Sequence, residues 1–338
     1  MRFRKKGSAE MKRPSLARIL KMLLAGVLTV GVGLGLYNVI KSTYLDRQIS
    51  KFLPSAWVNL DEEIPSASAA ADHESEGVPV FRIGIAPIVS PEKSLETYRD
   101  LINYIADKLE RRPVSLYRPT YSETSDLVRY RRCDIAVICT YPFIRGEREF
   151  GMEALVVPRI KGEITYQSFI VVRRESPAES LLDLRRKRFG SADIISTTGW
   201  LYPAMILMER GEDPKHFFGE HIITGSHDRS VQALIDGFVD GVAVHGVVYD
   251  QMLSEDPSIG EKTRILSKSP PFGIQPLVVH PDLDPELKKV LRTILVKMDD
   301  DPKGKPILEK MGIERFVVPE DGLFNSLRQA VGKLEGWK

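Results

Sequence analysis

Ser196, Thr197 and Thr198 form a run of hydroxyl-bearing residues that closes with Gly199 and leads directly into an apolar stretch containing Leu201, Ala204, Met205, Leu207 and Met208. This order places hydroxyls on the first turn of an apolar helix. Such a turn presents free backbone N–H groups, hydroxyl donors and the positive end of the helix dipole, a combination that favours an anion. Helix capping is the plainer reading of this segment alone, because Ser and Thr start many helices. Further along, Ser226, His227 and Asp228 head a second helical segment that reaches Asp236. Two helix entrances opening on one crevice would converge their donors there, and His227 adds a ring N–H able to donate to an anionic oxygen. A capping His is the ordinary alternative. His245, just after the buried run VDGVAV, either lines the same cleft or ends the strand.

The same residues raise a second chemistry, with Ser196 as nucleophile and His227 as base. The chain lacks a G-x-S-x-G elbow, an H-E-x-x-H pair and a cluster of metal-ligating residues, and no carboxylate marks itself as the orienting third member. The expectation is therefore binding without catalysis, cofactor or metal. His73 lies in an acidic, Ser- and Ala-rich stretch without fixed geometry and reads as solvated.

The elements that would position these residues alternate. VPVFRIGIAP is a buried strand, and Leu95, Tyr98, Leu101, Ile102, Ile105, Ala106 and Leu109 follow at helical spacing on one face. VSLYRP, a helix from about Ser122 to Arg132, DIAVIC, a short helix after Pro142 and ALVVPRI continue the pattern. YQSFIVVRR and a helix at Ser180–Arg186 open a second set. Such βαβ alternation predicts α/β architecture with mostly parallel sheets, helices on both faces, and a ligand crevice beyond the carboxyl ends of the strands. Cys133 and Cys139 lie six apart in one apolar run, about 20 Å apart on a strand, too far to bridge.

The chain of 338 residues has room for one large or two modest domains, and 43% hydrophobic with 28% charged residues is an ordinary globular balance. Its formal net charge of +2 hides an asymmetry. Eight basic residues against Glu10 give the first 21 residues a charge of +7, which leaves −5 for the rest, a balance that repels nucleic acid. Residues 22–40 carry no charge over 19 positions, enough for a helix roughly 28 Å long. This predicts a basic cytoplasmic arm (1–21), a single span of the inner membrane (22–40), a flexible tether (41–77) and an extracytoplasmic folded part; a cleavable signal peptide is the competing reading, and the length of the apolar run favours an uncleaved anchor.

The ordered segments FRIGIAP, DIAVICTYPFIRG, STTGWLYP, GSHDRSVQALIDGFVDGVAV and SPPFGIQPLVV, over about Val78 to Leu283, resemble the phosphate, phosphite and phosphonate substrate-binding proteins of ABC importers, within the type II periplasmic-binding-protein fold. The resemblance implies two lobes, residues 78–168 with 276–338 and residues 169–275, with tail helices Pro285–Met298 and Pro306–Met311 packed on the first. It also implies an oxyanion pocket built from Ser196, Thr197, Thr198, His227 and Tyr141, with Tyr121 as a weaker candidate and both tyrosines exposed when the lobes are open. Aminophosphonate binders of this kind place carboxylates near the strand end, where His245, Gly246, Val247, Val248 and Tyr249 offer none. The implied ligand is thus phosphate, phosphite or a small uncharged phosphonate. The implied partner is an ABC permease or, alternatively, a membrane sensor kinase.

Overall fold

The computed structural model describes residues 78–336; the expected arm, membrane span, tether and His73 lie outside them. Among the described residues no helix is long and apolar enough to cross a membrane. The fold opens with β1 (Val80–Ile85), whose Phe81, Ile83 and Ile85 are buried. Next, α1 (Pro91–Lys108) begins at Ser90 with Pro in its first turn, where a missing N–H costs nothing, and buries Leu101, Ile102, Ile105 and Ala106. Leu95, expected on that face, is half exposed, because at this turn Ser94 points inward and donates to the Val89 carbonyl.

The chain continues through β2 (Arg112–Tyr117), α2 (Tyr121–Arg129), β3 (Ile135–Val137), α3 (Thr140–Phe150) and β4 (Glu153–Arg159). The short pair β5 (Thr165–Tyr166) precedes β6 (Ser168–Arg173), β7 (Arg188–Ser191), α4 (Tyr202–Glu209), β8 (Glu220–Ile223), α5 (His227–Ile235), β9 (Gly241–His245), α6 (Gly246–Glu255) and β10 (Thr263–Lys268). After β11 (Phe272–Gly273) and β12 (Leu277–Val279) come α7 (Pro285–Val296), α8 (Gly304–Lys310), β13 (Arg315–Val317) and α9 (Asn325–Gly336). The helix expected at Ser180–Arg186 is only a 3₁₀ turn, Leu181–Leu184, closed by the reciprocal Ser180–Asp183 capping box; Arg186 with φ of 59° ends it. Cys133 and Cys139 are both free and buried, but the strand between them is shorter than expected and Cys139 instead precedes α3.

A six-stranded sheet of order β13-β4-β12-β3-β1-β2 and a five-stranded sheet of order β10-β6-β9-β7-β8 form the centres of two lobes. Both are mixed, which corrects the expectation of mostly parallel sheets. Pairing is parallel in β2-β1-β3 and in β8-β7-β9. It is antiparallel where a strand enters by crossing from the other lobe, as β12 does beside β3 and β4 and β6 does beside β9 and β10, and where the tail strand β13 joins β4. The crossings themselves pair, β5 with β11, so the connection is a two-stranded ribbon rather than two independent linkers. The tail helices α7 and α8 pack on α1, and α9 packs on α3. The carboxyl ends of β1, β3, β7 and β9 consequently lead into the residues that meet between the lobes.

Candidate functional site

In the second lobe, β7 delivers the chain into a π-helical turn, Thr197–Leu201, continuous with α4. Ser196 caps it, its Oγ accepting from the Gly199 N–H at 3.0 Å. A Cβ on residue 199 would stand 3.0 Å from that Oγ and 3.3 Å from the Ala192 nitrogen, so glycine permits the close turn. The widened winding, with Leu201 N–H donating to the Ser196 carbonyl at 2.9 Å, is of the kind concentrated at functional sites. Ser168 on β6 fixes the same turn by donating to the Thr198 carbonyl at 2.6 Å.

The second entrance meets the first. His227, the first residue of α5, lies with Nε2 3.4 Å from Thr198 Oγ1 and 3.5 Å from Ser196 Oγ. Ser196, Thr197, Thr198 and His227 are all fully buried. His227 Nδ1 accepts from the His245 main-chain N–H at 3.3 Å, which leaves the ring proton of the neutral imidazole on Nε2, facing the hydroxyls. Burial, reinforced by the neighbouring His245, holds its pKa well below the ordinary value of 6.5, so the ring is a neutral donor. At the end of β9, His245 packs against Tyr166, ring centroids 4.4 Å apart and tilted by 40°, and places Nε2 2.9 Å from Gln275 Oε1. Burial lowers its pKa to about 4.

The first lobe contributes mostly main chain. Tyr141 N–H donates to Thr197 Oγ1 at 2.8 Å, and the Cys139 thiol lies 3.2 Å from the same oxygen. His227 N–H donates to the Ile88 carbonyl at 3.0 Å. Two second-lobe carboxylates take first-lobe N–H groups: Asp193 accepts from Tyr121, at the start of α2, at 3.0 Å, and Asp228 accepts from Ser90, before α1, at 2.9 Å. Each seats a negative charge at the positive end of a helix across the lobe boundary. The two tyrosines expected to be exposed in an open state are buried here, 0% and 5% exposed for Tyr121 and Tyr141, because the lobes are in contact. The Tyr121 hydroxyl is buried near Ser196, and burial, with Cys139, Asp193 and Tyr166 alongside, holds its pKa well above 10.

All seven residues singled out from the sequence thus gather at one junction, and no Lys or Arg is among them. The sequence profile described as "ABC transporter, phosphonate, periplasmic substrate-binding protein" matches residues 83–324. The chain belongs to this family. The phosphonate-binding family comprises importer substrate-binding components, not enzymes, and its domain lies outside the cytoplasm. The chain is similar to the phosphonates-binding periplasmic protein of Escherichia coli K12, at 22% identity over 262 residues, which covers 76% of this chain and 77% of the relative. It is also similar to a binding-protein component of an ABC phosphonate transporter from Pseudomonas aeruginosa (TM-score 0.71, 20% identity, 76% of this chain and 87% of that one). A third likeness is to the methylphosphonate complex of PhnD1 from Prochlorococcus marinus (TM-score 0.68, 19% identity, 76% and 99% covered). These structural likenesses show the two-lobed α/β fold.

Sequence reading did not single out Asp193, Gln275, Ser168, Tyr166 or Cys139 for the site. Two of them carried a signal. Asp193 is the lone charge in the apolar stretch FGSADII that spans the end of β7, and Gln275 is the lone amide in FGIQPLVV; a polar side chain in such a run requires a partner. Among the described residues no group of His, Cys, Asp and Glu is arranged to hold a metal ion.

Proposed function

We propose that this member of the phosphonate-binding family captures a phosphate-class oxyanion (phosphate, phosphite or a small phosphonate) and delivers it to an ABC importer, held at the outer face of the inner membrane by residues 22–40. The observation that carries this reading is the convergence of neutral donors: His227 Nε2 within 3.5 Å of both the Ser196 and Thr198 hydroxyls, with the Thr197 hydroxyl reaching Tyr141 N–H of the other lobe at 2.8 Å. Neutral donors and helix ends stabilise an anion without a buried counter-ion whose desolvation would offset the gain. A ligand that touches both lobes stabilises their contact and shifts the population toward the form a permease can distinguish.

Titration calorimetry of the full chain in detergent with phosphate, phosphite, methylphosphonate, aminoethylphosphonate and sulfate tests the reading. Binding of the first three is expected, and binding of none of the five removes the ligand class. Ligand-dependent stimulation of a co-reconstituted importer ATPase tests delivery, and stimulation of a membrane kinase instead would assign the same closure to sensing.

A further inference from the structure

His245 and His227 are both neutral, yet they offer opposite faces. The donor on His227 is Nε2, because Nδ1 is occupied by the His245 main-chain N–H. On His245 the proton also sits on Nε2, but there it is spent on the acceptor oxygen Gln275 Oε1 at 2.9 Å, and Nδ1 is left as a bare lone pair. That Nδ1 is buried and has no hydrogen-bond partner. The ring carrying it is packed against Tyr166 at 4.4 Å and His227 at 5.8 Å, inside the junction where the hydroxyls converge.

We propose that His245 selects the protonation state of the ligand: Nδ1 accepts a hydrogen bond from an O–H of the bound oxyanion, so the pocket takes the monoprotonated anion in preference to the fully deprotonated one and rejects sulfate. The inference rests on the oxyanion reading above. The side-chain donors that converge there suit a bare oxygen: the His227 ring N–H and the hydroxyls of Ser196, Thr197 and Thr198. His245 Nδ1 asks for a proton instead, and an unprotonated oxygen against it would oppose two lone pairs. Protonating the imidazole instead is costly, since burial already holds its pKa at about 4. An ammonium group is the other possible donor, but it would lie buried without a counter-charge. The nearby carboxylates, Asp193 and Asp228, are turned to main-chain N–H groups of Tyr121 and Ser90.

The titratable groups around His245 stay fixed across neutral pH. Tyr166 on β5 and Tyr121 on α2 are held well above 10, Cys139 is raised, and His227 on α5 is held well below 6.5, in each case chiefly by burial. From about pH 6 to about pH 9 the ligand is therefore the group at the junction that changes charge. The test is calorimetry of methylphosphonate, sulfate and aminoethylphosphonate with the full chain in detergent across that range. The expected result is methylphosphonate affinity falling about tenfold per pH unit above the ligand's second pKa, no sulfate binding at any pH, and a flattened slope in His245→Leu. The wild-type slope stands even if that variant fails to fold. A flat or rising affinity, or sulfate bound as well as methylphosphonate, overturns the proposal and leaves the oxyanion reading intact. Preference for aminoethylphosphonate would replace the O–H with an ammonium donor and overturn it too. Absence of binding by all three overturns both.

Discussion

The two lobes meet at one junction but bring different materials to it. The second lobe offers side chains, the hydroxyls of Ser196, Thr197 and Thr198, the imidazoles of His227 and His245 and the carboxylates of Asp193 and Asp228. The first lobe answers largely with backbone, through the N–H groups of Tyr141, Tyr121 and Ser90 and the Ile88 carbonyl. Backbone groups stand wherever the fold puts them, whereas side chains can be deleted or titrated. Substitution and pH should therefore act chiefly through the second lobe.

Acid is the harshest way to probe that asymmetry. His245 has a folded pKa of about 4 against an ordinary 6.5, so between these values the unfolded chain binds more protons than the folded one. Stability is complete above about pH 6.5 and falls as pH drops toward about 4, by about 3 kcal/mol from this residue alone. His227, displaced in the same direction, adds to the loss. Urea denaturation of the full chain at stepped pH should show this decline, with a smaller one in His245→Leu. A profile unchanged between pH 6.5 and pH 4 would mean that the imidazoles are not buried neutral.

Next in size is His227→Ala. It removes the ring N–H and strands the His245 N–H that Nδ1 accepted. Hydrogen bonds to a charged group contribute roughly 1.5–3 kcal/mol, so oxyanion affinity should fall about ten- to a hundredfold by calorimetry. Tyr141→Phe keeps its main-chain donor and should cost much less. Equal losses in the two variants would break the contrast between the lobes.

That contrast also explains what the sequence disclosed. Hydroxyls before an apolar helix, and a His heading another, are side-chain signals, and Ser196–Thr198 and His227 lie where their types implied. The Tyr141 N–H that donates to Thr197 Oγ1 across the junction is a group every non-proline residue carries and no residue type announces. The fold divides similarly. Apolar runs foretold β1, β3, β4, β6 and β9, and helical spacing foretold α1. The antiparallel entry of β6 and β12 is set by the chain crossing between lobes, a long-range property without a local pattern. The short β8 and β13 carry too few buried side chains to stand out, with Glu220 and Ile223 exposed in the one and Arg315 in the other.

A smaller effect sharpens the comparison at the one kind of contact where second-lobe charge meets first-lobe backbone. Asp193→Asn keeps an oxygen for the Tyr121 N–H but removes the charge at the entrance of α2. A charge at a helix terminus contributes about 0.3–1 kcal/mol, so affinity should weaken by about two- to fivefold through looser closure. Small-angle scattering should show a more open form without ligand and recovery of the closed form at saturation. An equally weak Asp193→Ala would assign the residue to charge alone, and a far weaker one would show that the hydrogen bond to backbone matters more.

The smallest expected effect lies at the rim, where Lys93 of α1 donates to Glu255 of α6 at 2.9 Å across the lobes. Here both partners are side chains, so by type the contact resembles a designed clasp. Both remain exposed, 39% and 49%, and such pairs contribute at most about 1 kcal/mol because solvent and salt screen them. Lys93→Ala should change oxyanion affinity by at most about fivefold at low salt, and added salt should erase even that difference. A loss as large as that of His227→Ala would mean that closure is governed by rim charge rather than by buried donors meeting backbone, and the division of labour between the lobes would have to be redrawn around the exposed edge.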